Sequence, residues 1–370
     1  MALDKMYSSD NSMLSSHKIP IKNIYYLLSY AWDKLEESEK VDVNVSDYTS
    51  MIDLLSKILV NGVVQLLKRG LDKQYIERED DISSIKGKIN FTQSINRNLF
   101  SNAKASCTYD EFDVNIINNQ ILKSTMYRLL RSSEVDRSIR NEIKTIYFKF
   151  NEVSLIDLKS SDFKKIKIHR NNYFYDFLLK VCKLIHDQQV FDEGNGEYRF
   201  TDFIRDDKKM PYLFESFVLN FYKKEFKGIF HASSKRLHFK FLPIGDSDKN
   251  LLPSMLTDIF LESKEKRIII DTKYYPKALA QRSYKNKDGS ESVNETFKSN
   301  NIYQMFTYLK HSEEVGNDKT FTSEGMLLYP TVNYNLDQEF EYERHKISFR
   351  TLDLSKSWQE IDAKLRSFVE

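Results

Sequence analysis

Cysteine is nearly absent from this chain: Cys107 and Cys182 are the only two in 370 residues. Thiols so far apart fit neither a zinc-ligand spacing nor a disulfide framework, and a reducing, cytoplasmic setting is expected. Long apolar runs are also missing. No stretch approaches the ~20 residues that a membrane-spanning helix needs, and the first residues, with Asp4, Lys5 and Asp10, hold no signal-peptide core. There is no Gly-x-x-x-x-Gly-Lys-Ser/Thr sequence, which excludes a P-loop and with it independent GTP binding of that type. There is no His-Glu-x-x-His either, and the seven histidines are scattered as surface or core residues would be. Charge of one sign is scarce: 56 Lys and Arg against 54 Asp and Glu leave +2, less basic than a dedicated duplex binder. No internal repeat or low-complexity segment occurs.

What remains is enough for two domains with sizeable cores, since 41% of residues are apolar and 13% aromatic. Residues 1–18 read as a loose tail rich in Ser, Asn and Met. Amphipathic spacing predicts helices over 19–35 and 47–69, the second closed by Gly70, and further helices near 114–132, 136–150 and 172–188. Ile82–Phe91 and Ala105–Phe112 read as extended segments. Asn195-Gly196 marks a turn. The expected fold is therefore an α+β, mostly helical N-terminal region over 19–195, followed by a second domain over 196–370. The polar run Tyr284–Glu295, with Asp288-Gly289 at its centre, reads as a mobile loop. The helix in 19–35 carries Tyr25, Tyr26, Tyr30 and Trp32 among its leucines, more apolar surface than one face buries. It either packs on two sides within its own domain or contributes to a partner interface.

The chemistry is concentrated in residues 251–275, LLPSMLTDIFLESKEKRIIIDTKYY. Two apolar, β-branched runs flank the polar cluster Ser263–Lys266 and predict a β-hairpin. A loop centred on Lys264 and Glu265 sets Asp258 opposite Asp271, because the two lie equally far from that centre. Cross-strand partners stand about 4.5–5.5 Å apart at Cβ, close enough for two carboxylates to share a divalent ion. Lys273, two residues beyond Asp271, projects from the same face. Asp-x-Lys alone is a common tripeptide. Here it follows Arg267-Ile-Ile-Ile, a run apolar enough for a strand covered on both faces, where a charge is costly unless paired or metal-bound.

Two helices flank the hairpin in sequence. Around residues 211–226, Leu213, Phe214, Phe217, Val218 and Phe221 form an apolar stripe with Pro211 in the first turn. Glu215 falls beside that stripe, where a solvated first-turn glutamate would equally be at home. Residues 301–310 predict a second helix, with Gln304 and Tyr308 four apart on one face. The order of helix, strand near Arg236–Leu242, strand with Asp258, strand with Asp271 and Lys273, helix, and strand 324–330 resembles the core of the PD-(D/E)xK nuclease superfamily, in the branch with a Gln-x-x-x-Tyr helix. It implies that residues 196–370 form an α/β, restriction-endonuclease-like domain with a central mixed sheet flanked by helices. Thr257 stands where that pattern often has proline.

The resemblance narrows with IPIKNIYYLLSYAW at 19–32, GKINF at 87–91, CTYDEFDVNIINNQILK at 107–123, LFESFV at 213–218 and DTKYY at 271–275. This ordered series is similar to the McrC family, the nuclease subunits of McrBC-type, modification-dependent restriction systems. The resemblance implies a Mg²⁺-dependent endonuclease, with Mn²⁺ as a substitute, acting on double-stranded, modified DNA. Asp258, Asp271 and the Thr272 carbonyl would ligate metal. Glu215 would add a carboxylate or position water, Lys273 would orient water or stabilise charge at phosphorus, and Gln304 and Tyr308 would brace the site. It also implies an AAA+ GTPase partner of McrB type, which binds the GTP, with residues 19–195 docking into its ring and stimulating it. The basic run Lys223–Lys240, six cations against Glu225, could neutralise phosphates beside the site. Lys164, Lys165, Lys167, His169 and Arg170 form a second basic run. Two rival readings are a stand-alone RecB-like nuclease and a non-catalytic scaffold that activates a GTPase.

Overall fold

The computed structural model describes residues 19–34, 36–37, 50–169, 172–192, 197–200, 209–275, 278–285, 291–315, 320–321 and 323–370. The tail and the Asn195-Gly196 turn lie outside these. The chain divides into two compact units: Met1–Leu35 with Asp202–Glu370, and Glu36–Thr201. Among the described residues no helix is long and apolar enough to cross a membrane.

Helix α1 (Ile21–Ala31) is followed by the second unit. There α2 (Met51–Arg69) ends at Gly70, whose φ of 89° is a conformation that glycine adopts without strain. Strands β1 (Gln74–Ile82), β2 (Lys88–Ile89) and β3 (Ala105–Asp113) form an antiparallel sheet in the order β1-β3-β2. The expected extended segment Ile82–Phe91 is thus mostly irregular, running from the end of β1 through bends to the short β2 and the first residue of the next helix. Gly87 is required there: its φ is +63°, and a Cβ would lie 2.3 Å from the Thr108 carbonyl oxygen. Helices α3 (Phe91–Asn96), α4 (Ile117–Leu130), α5 (Arg137–Tyr147) and α6 (Tyr173–Gln188) complete the unit, with a hairpin of β4 (Gln189–Asp192) and β5 (Glu197–Phe200). The NIINNQ segment at 115–120 is structural. Buried Asn119 donates to the carbonyls of Asp72 at 2.9 Å and Val114 at 2.7 Å, and accepts from the Tyr175 hydroxyl at 2.8 Å.

The first unit is built on a six-stranded mixed sheet. After α7 (Lys209–Glu225) come β6 (His231–Ser233), β7 (Arg236–His238), β8 (Ser254–Leu256), β9 (Ile259–Glu262) and β10 (Arg267–Thr272). Then follow β11 (Ala280–Lys285), β12 (Glu291–Thr296), α8 (Ser299–Ser312), β13 (Glu314–Val315), β14 (Thr320–Phe321), β15 (Ser323–Thr331), β16 (Asp337–Tyr342), β17 (His345–Asp353) and α9 (Trp358–Ser367). The large sheet runs β16-β17-β15-β10-β9-β6, with β10, β15 and β17 mutually parallel and the other pairs antiparallel. Helix α7 lies against β6, β9 and β10, and α8 against β10 and β15. Phe260, Ile269, Met305, Leu309, Leu327 and Phe349 share the core beneath α8. Gly325 lets that helix come close, since a Cβ there would sit 2.7 Å from the Met305 sulfur.

Three expectations change. Helix α1 does not belong with residues 36–195. Tyr26 stacks on Trp358 with ring centroids 4.6 Å apart, and Tyr30 packs on Phe217, Phe221 and Trp358 within 5.9 Å. Its carbonyl end is held by Asn220, and Asn23 donates to the carbonyls of Leu354 at 2.8 Å and Lys356 at 2.7 Å. The aromatic surplus is satisfied inside the unit, helped by α9, whose capping box of Ser357 and Glu360 fixes the approach of Trp358. Second, Tyr284–Glu295 is largely a β11–β12 hairpin, and only its centre, residues 286–290, lies outside the described residues. Third, the sheet's edge strand before Asp258 is β6, while Arg236–His238 pairs with β8 in a separate small sheet.

Candidate active site

The register deduced from the hairpin loop is the one observed. Glu262 faces Arg267 and Ile259 faces Ile270, and that register runs on to set Asp258 across from Asp271. Between β8 and β9 the chain passes from the small sheet to the large one, and Thr257 and Asp258 occupy the step. Thr257 is fully buried there. Its N–H donates to the Lys235 carbonyl at 3.1 Å, its hydroxyl lies 3.1 Å from the Lys235 N–H, and its carbonyl accepts from the Ser234 hydroxyl at 2.6 Å. Proline, common at this position in the nuclease pattern, has no N–H for the first of these bonds.

Asp258 is half-buried and held by the next strand: the N–H and hydroxyl of Thr272 donate to its Oδ2 at 2.8 and 2.9 Å. Besides the carbonyl expected to face a metal, Thr272 thus uses its N–H and hydroxyl to fix the opposing acid. Asp271 is 1% exposed. Its Oδ1 has no hydrogen-bond partner among the described residues, and its Oδ2 meets the Lys273 ammonium at 2.5 Å. The buried charge at the other end of β10 is treated differently: Arg267 pairs with Glu262 at 2.7 Å. A buried carboxylate oxygen left unmatched calls for a partner, and beside a second acid a cation is one that fits.

Lys273 extends the β10–β15 ladder through its N–H, 2.9 Å from the Leu328 carbonyl. Its ammonium donates to Gln304 Oε1 at 3.0 Å, Gln304 Nε2 donates to the Tyr308 hydroxyl at 2.7 Å, and that hydroxyl donates to the Leu256 carbonyl at 2.9 Å. The relay fixes the orientation of the Gln304 amide and ties the lysine to the strand before Asp258. Burial works against the ammonium, but Asp271 and then Asp258 outweigh it and raise its pKa. Burial, reinforced by Asp258, pushes Asp271 up to about 6. Glu215, on α7, rises to about 7 through burial and the charges of Asp258 and Asp271. Burial likewise raises the Tyr308 hydroxyl.

The candidate site residues Glu215, Asp258, Asp271, Thr272, Lys273, Gln304 and Tyr308 therefore belong to one neighbourhood, while the basic run that begins at Lys164 falls in the other unit. Sequence reasoning missed Asn301, which is buried and lies at i, i+3, i+7 with Gln304 and Tyr308 on α8, a spacing that could have flagged it. It also missed Tyr275 and Tyr329, to which Asn301 is linked at 3.4 Å each. Among the described residues no group of three acids, histidines or cysteines forms a ready metal cage. Two opposed carboxylates with an unmatched oxygen instead fit an open site, of the kind magnesium occupies with waters and substrate oxygens completing its shell.

The raised acids make stability depend on pH. An acid whose pKa is higher folded than unfolded stabilises the fold below its unfolded value, and that contribution is lost as pH rises through the folded value. For Asp271 the window runs from about 4 to about 6 and the loss is on the order of a few kcal/mol; half-buried Glu215 adds less, through solvent screening. Asp271→Asn lacks this titration. Its melting temperature, measured without divalent ions, is expected to gain several degrees on the parent between pH 4 and pH 7. A constant difference across that range would show that Asp271 ionises normally.

A family model described as the McrBC 5-methylcytosine restriction system component matches residues 5–330. The type IV methyl-directed restriction enzyme EcoKMcrBC of Escherichia coli K12 is 31% identical over 354 residues, which cover 94% of this chain and 96% of that protein. In fold, the chain resembles, at a TM-score of 0.55 and 13% identity, a chain in the refined half-complex from the tetradecameric assembly of Thermococcus gammatolerans McrB AAA+ hexamers with bound McrC. That match covers 95% of this chain and 75% of the other. With most of its length matched by the family model and by a curated relative, this chain belongs to the family of McrBC 5-methylcytosine restriction system components.

Proposed function

We propose that this chain is the DNA-cutting subunit of a McrBC-type restriction complex, a Mg²⁺-dependent endonuclease that works with an AAA+ GTPase of McrB type in the cytoplasm. The observation that carries the reading is the pair of opposed carboxylates, Asp258 and Asp271, with an unmatched buried oxygen on one and a fixed ammonium beside it. Asp258, Asp271 and the Thr272 carbonyl would hold the metal, with Glu215 as a further carboxylate. Magnesium, when bound, supplies Lewis-acid polarisation of the phosphate and a more acidic water. Lys273 is held by Asp271 and Gln304, so it offers a preset cation to charge developing at phosphorus without reorganisation. Glu215, which faces the charges of Asp258 and Asp271 from α7, would otherwise position the metal-bound water. Gln304 and Tyr308 keep the lysine in place.

The unit Glu36–Thr201 is assigned to partner docking and to stimulating GTP hydrolysis, and the nucleotide is bound by the partner. The chain lacks a P-loop and has little net charge, so the isolated protein is expected to cut duplex DNA weakly. Addition of its GTPase partner, GTP and Mg²⁺ should raise cleavage of methylated plasmid by orders of magnitude, and chelation of Mg²⁺ should stop it. Vigorous partner-free digestion of unmodified duplex at physiological salt would favour the RecB-like reading instead.

A further inference from the structure

We propose that Lys298 holds a backbone phosphate of the DNA strand, adjacent to the one presented to Lys273, and that Tyr275 is its seat. The proposal rests on the nuclease reading above.

Lys298 is the residue immediately before α8. Its ammonium lies 3.4 Å from the centroid of the Tyr275 ring, well inside the range of a cation–π contact. It is partly buried, and no carboxylate among the described residues offsets that burial, which lowers its pKa. The seat is rigid. Tyr275 donates its N–H to the Lys273 carbonyl at 3.1 Å and its hydroxyl to Asn301 Oδ1 at 3.4 Å. Asn301, 5% exposed, returns an N–H to the Lys298 carbonyl at 3.1 Å and donates its side-chain amide to the Tyr329 hydroxyl at 3.4 Å. One buried asparagine thus fixes both the ring and the backbone of the lysine above it.

Two cations therefore flank Tyr275, and they differ in kind. Lys273 is matched by Asp271 and Gln304. Lys298 has a ring for support and an ammonium short of an anion. A DNA strand that brings one phosphate to Lys273 carries the next along the same path, and a lysine contact to it positions the strand without reading sequence. Ordinary packing of a lysine on a tyrosine would stabilise the fold but leave DNA affinity and its salt dependence alone.

The test uses the full chain with its GTPase partner, GTP, Mg²⁺ and a methylated duplex as the probe, with melting temperature as the check on folding. Lys298→Met is expected to raise the KM for DNA about tenfold, the usual scale for loss of one charge-assisted contact, and to leave kcat within about twofold. The slope of log(kcat/KM) against log salt should shrink by about one. Lys298→Arg and Tyr275→Phe should retain most of the activity, and Tyr275→Ala should behave like Lys298→Met. An unchanged KM and salt slope in Lys298→Met, with the wild type cutting normally, would overturn the proposal and leave the nuclease reading standing. So would a fall in kcat and melting temperature shared by Lys298→Arg, which assigns the lysine to packing. If the wild-type complex cuts nothing, the nuclease reading fails and the phosphate seat falls with it.

Discussion

Lys273→Ala is expected to lower DNA cleavage by about a hundredfold to a thousandfold in the assembled complex while metal binding persists. The ammonium lies 2.5 Å from one Asp271 oxygen and 3.0 Å from the Gln304 amide oxygen, so its position is set before any substrate arrives. Preset charge is what a transition state that gathers negative charge responds to. Removing it also removes a cation that competes with a metal for Asp271, and Mg²⁺ or Mn²⁺ affinity measured by calorimetry should hold or rise. Lys273→Arg should rescue little, since the planar, forked guanidinium cannot reproduce a point charge lodged between Asp271 and Gln304. A Lys273→Ala complex that cuts at a tenth of the wild-type rate or faster would remove the lysine from the chemistry.

A fragment beginning at residue 196 is expected not to fold. It would carry the whole six-stranded sheet and every proposed site residue, yet it lacks α1. That helix buries Ile24, Tyr25, Leu27, Leu28 and Tyr30 in the same unit and covers Phe217, Phe221 and Trp358. At about 1.5–3 kcal/mol for each large apolar side chain buried, the loss is on the order of 10 kcal/mol, comparable with the whole stability of a typical domain. Near-ultraviolet circular dichroism and limited proteolysis should report a disordered chain, and joining residues 19–34 back to the fragment should restore cooperative melting. A cooperative transition in the bare fragment would show that α1 is dispensable.

That helix also marks where the sequence stops being legible. Its aromatics announced more than one buried face, but nothing local says that the second face lies against residues from the far end of the chain, such as Trp358. The hairpin that carries the candidate site was readable because its information is local: loop composition sets the register, register sets which side chains oppose, and Asp258 and Asp271 followed. The break at Thr257 was hidden by the same logic. The stretch from Leu251 to Leu261 reads as one arm of the hairpin, whereas the chain changes sheets within it, and the bonds that stabilise the step come from Ser234 and Lys235. Gln304 and Tyr308 showed in their helical spacing. Asn301 shares that face but was passed over, because a buried asparagine draws its meaning from partners on other elements, here Tyr275 and Tyr329. Strands β16 and β17 and helix α9 went unread. Strand β16 is exposed along its whole length, so burial imposes no alternation on it.

The most direct test of the central claim is cleavage of methylated duplex DNA by the complex assembled with Asp271→Ala, in the presence of the GTPase partner, GTP and Mg²⁺. The variant removes a buried acid that sits among like charges, so it should fold and associate with its partner. It should give no linear product over a time in which the wild-type complex consumes all its substrate. Cleavage at the wild-type rate by Asp271→Ala would contradict the assignment of this hairpin as the nuclease centre.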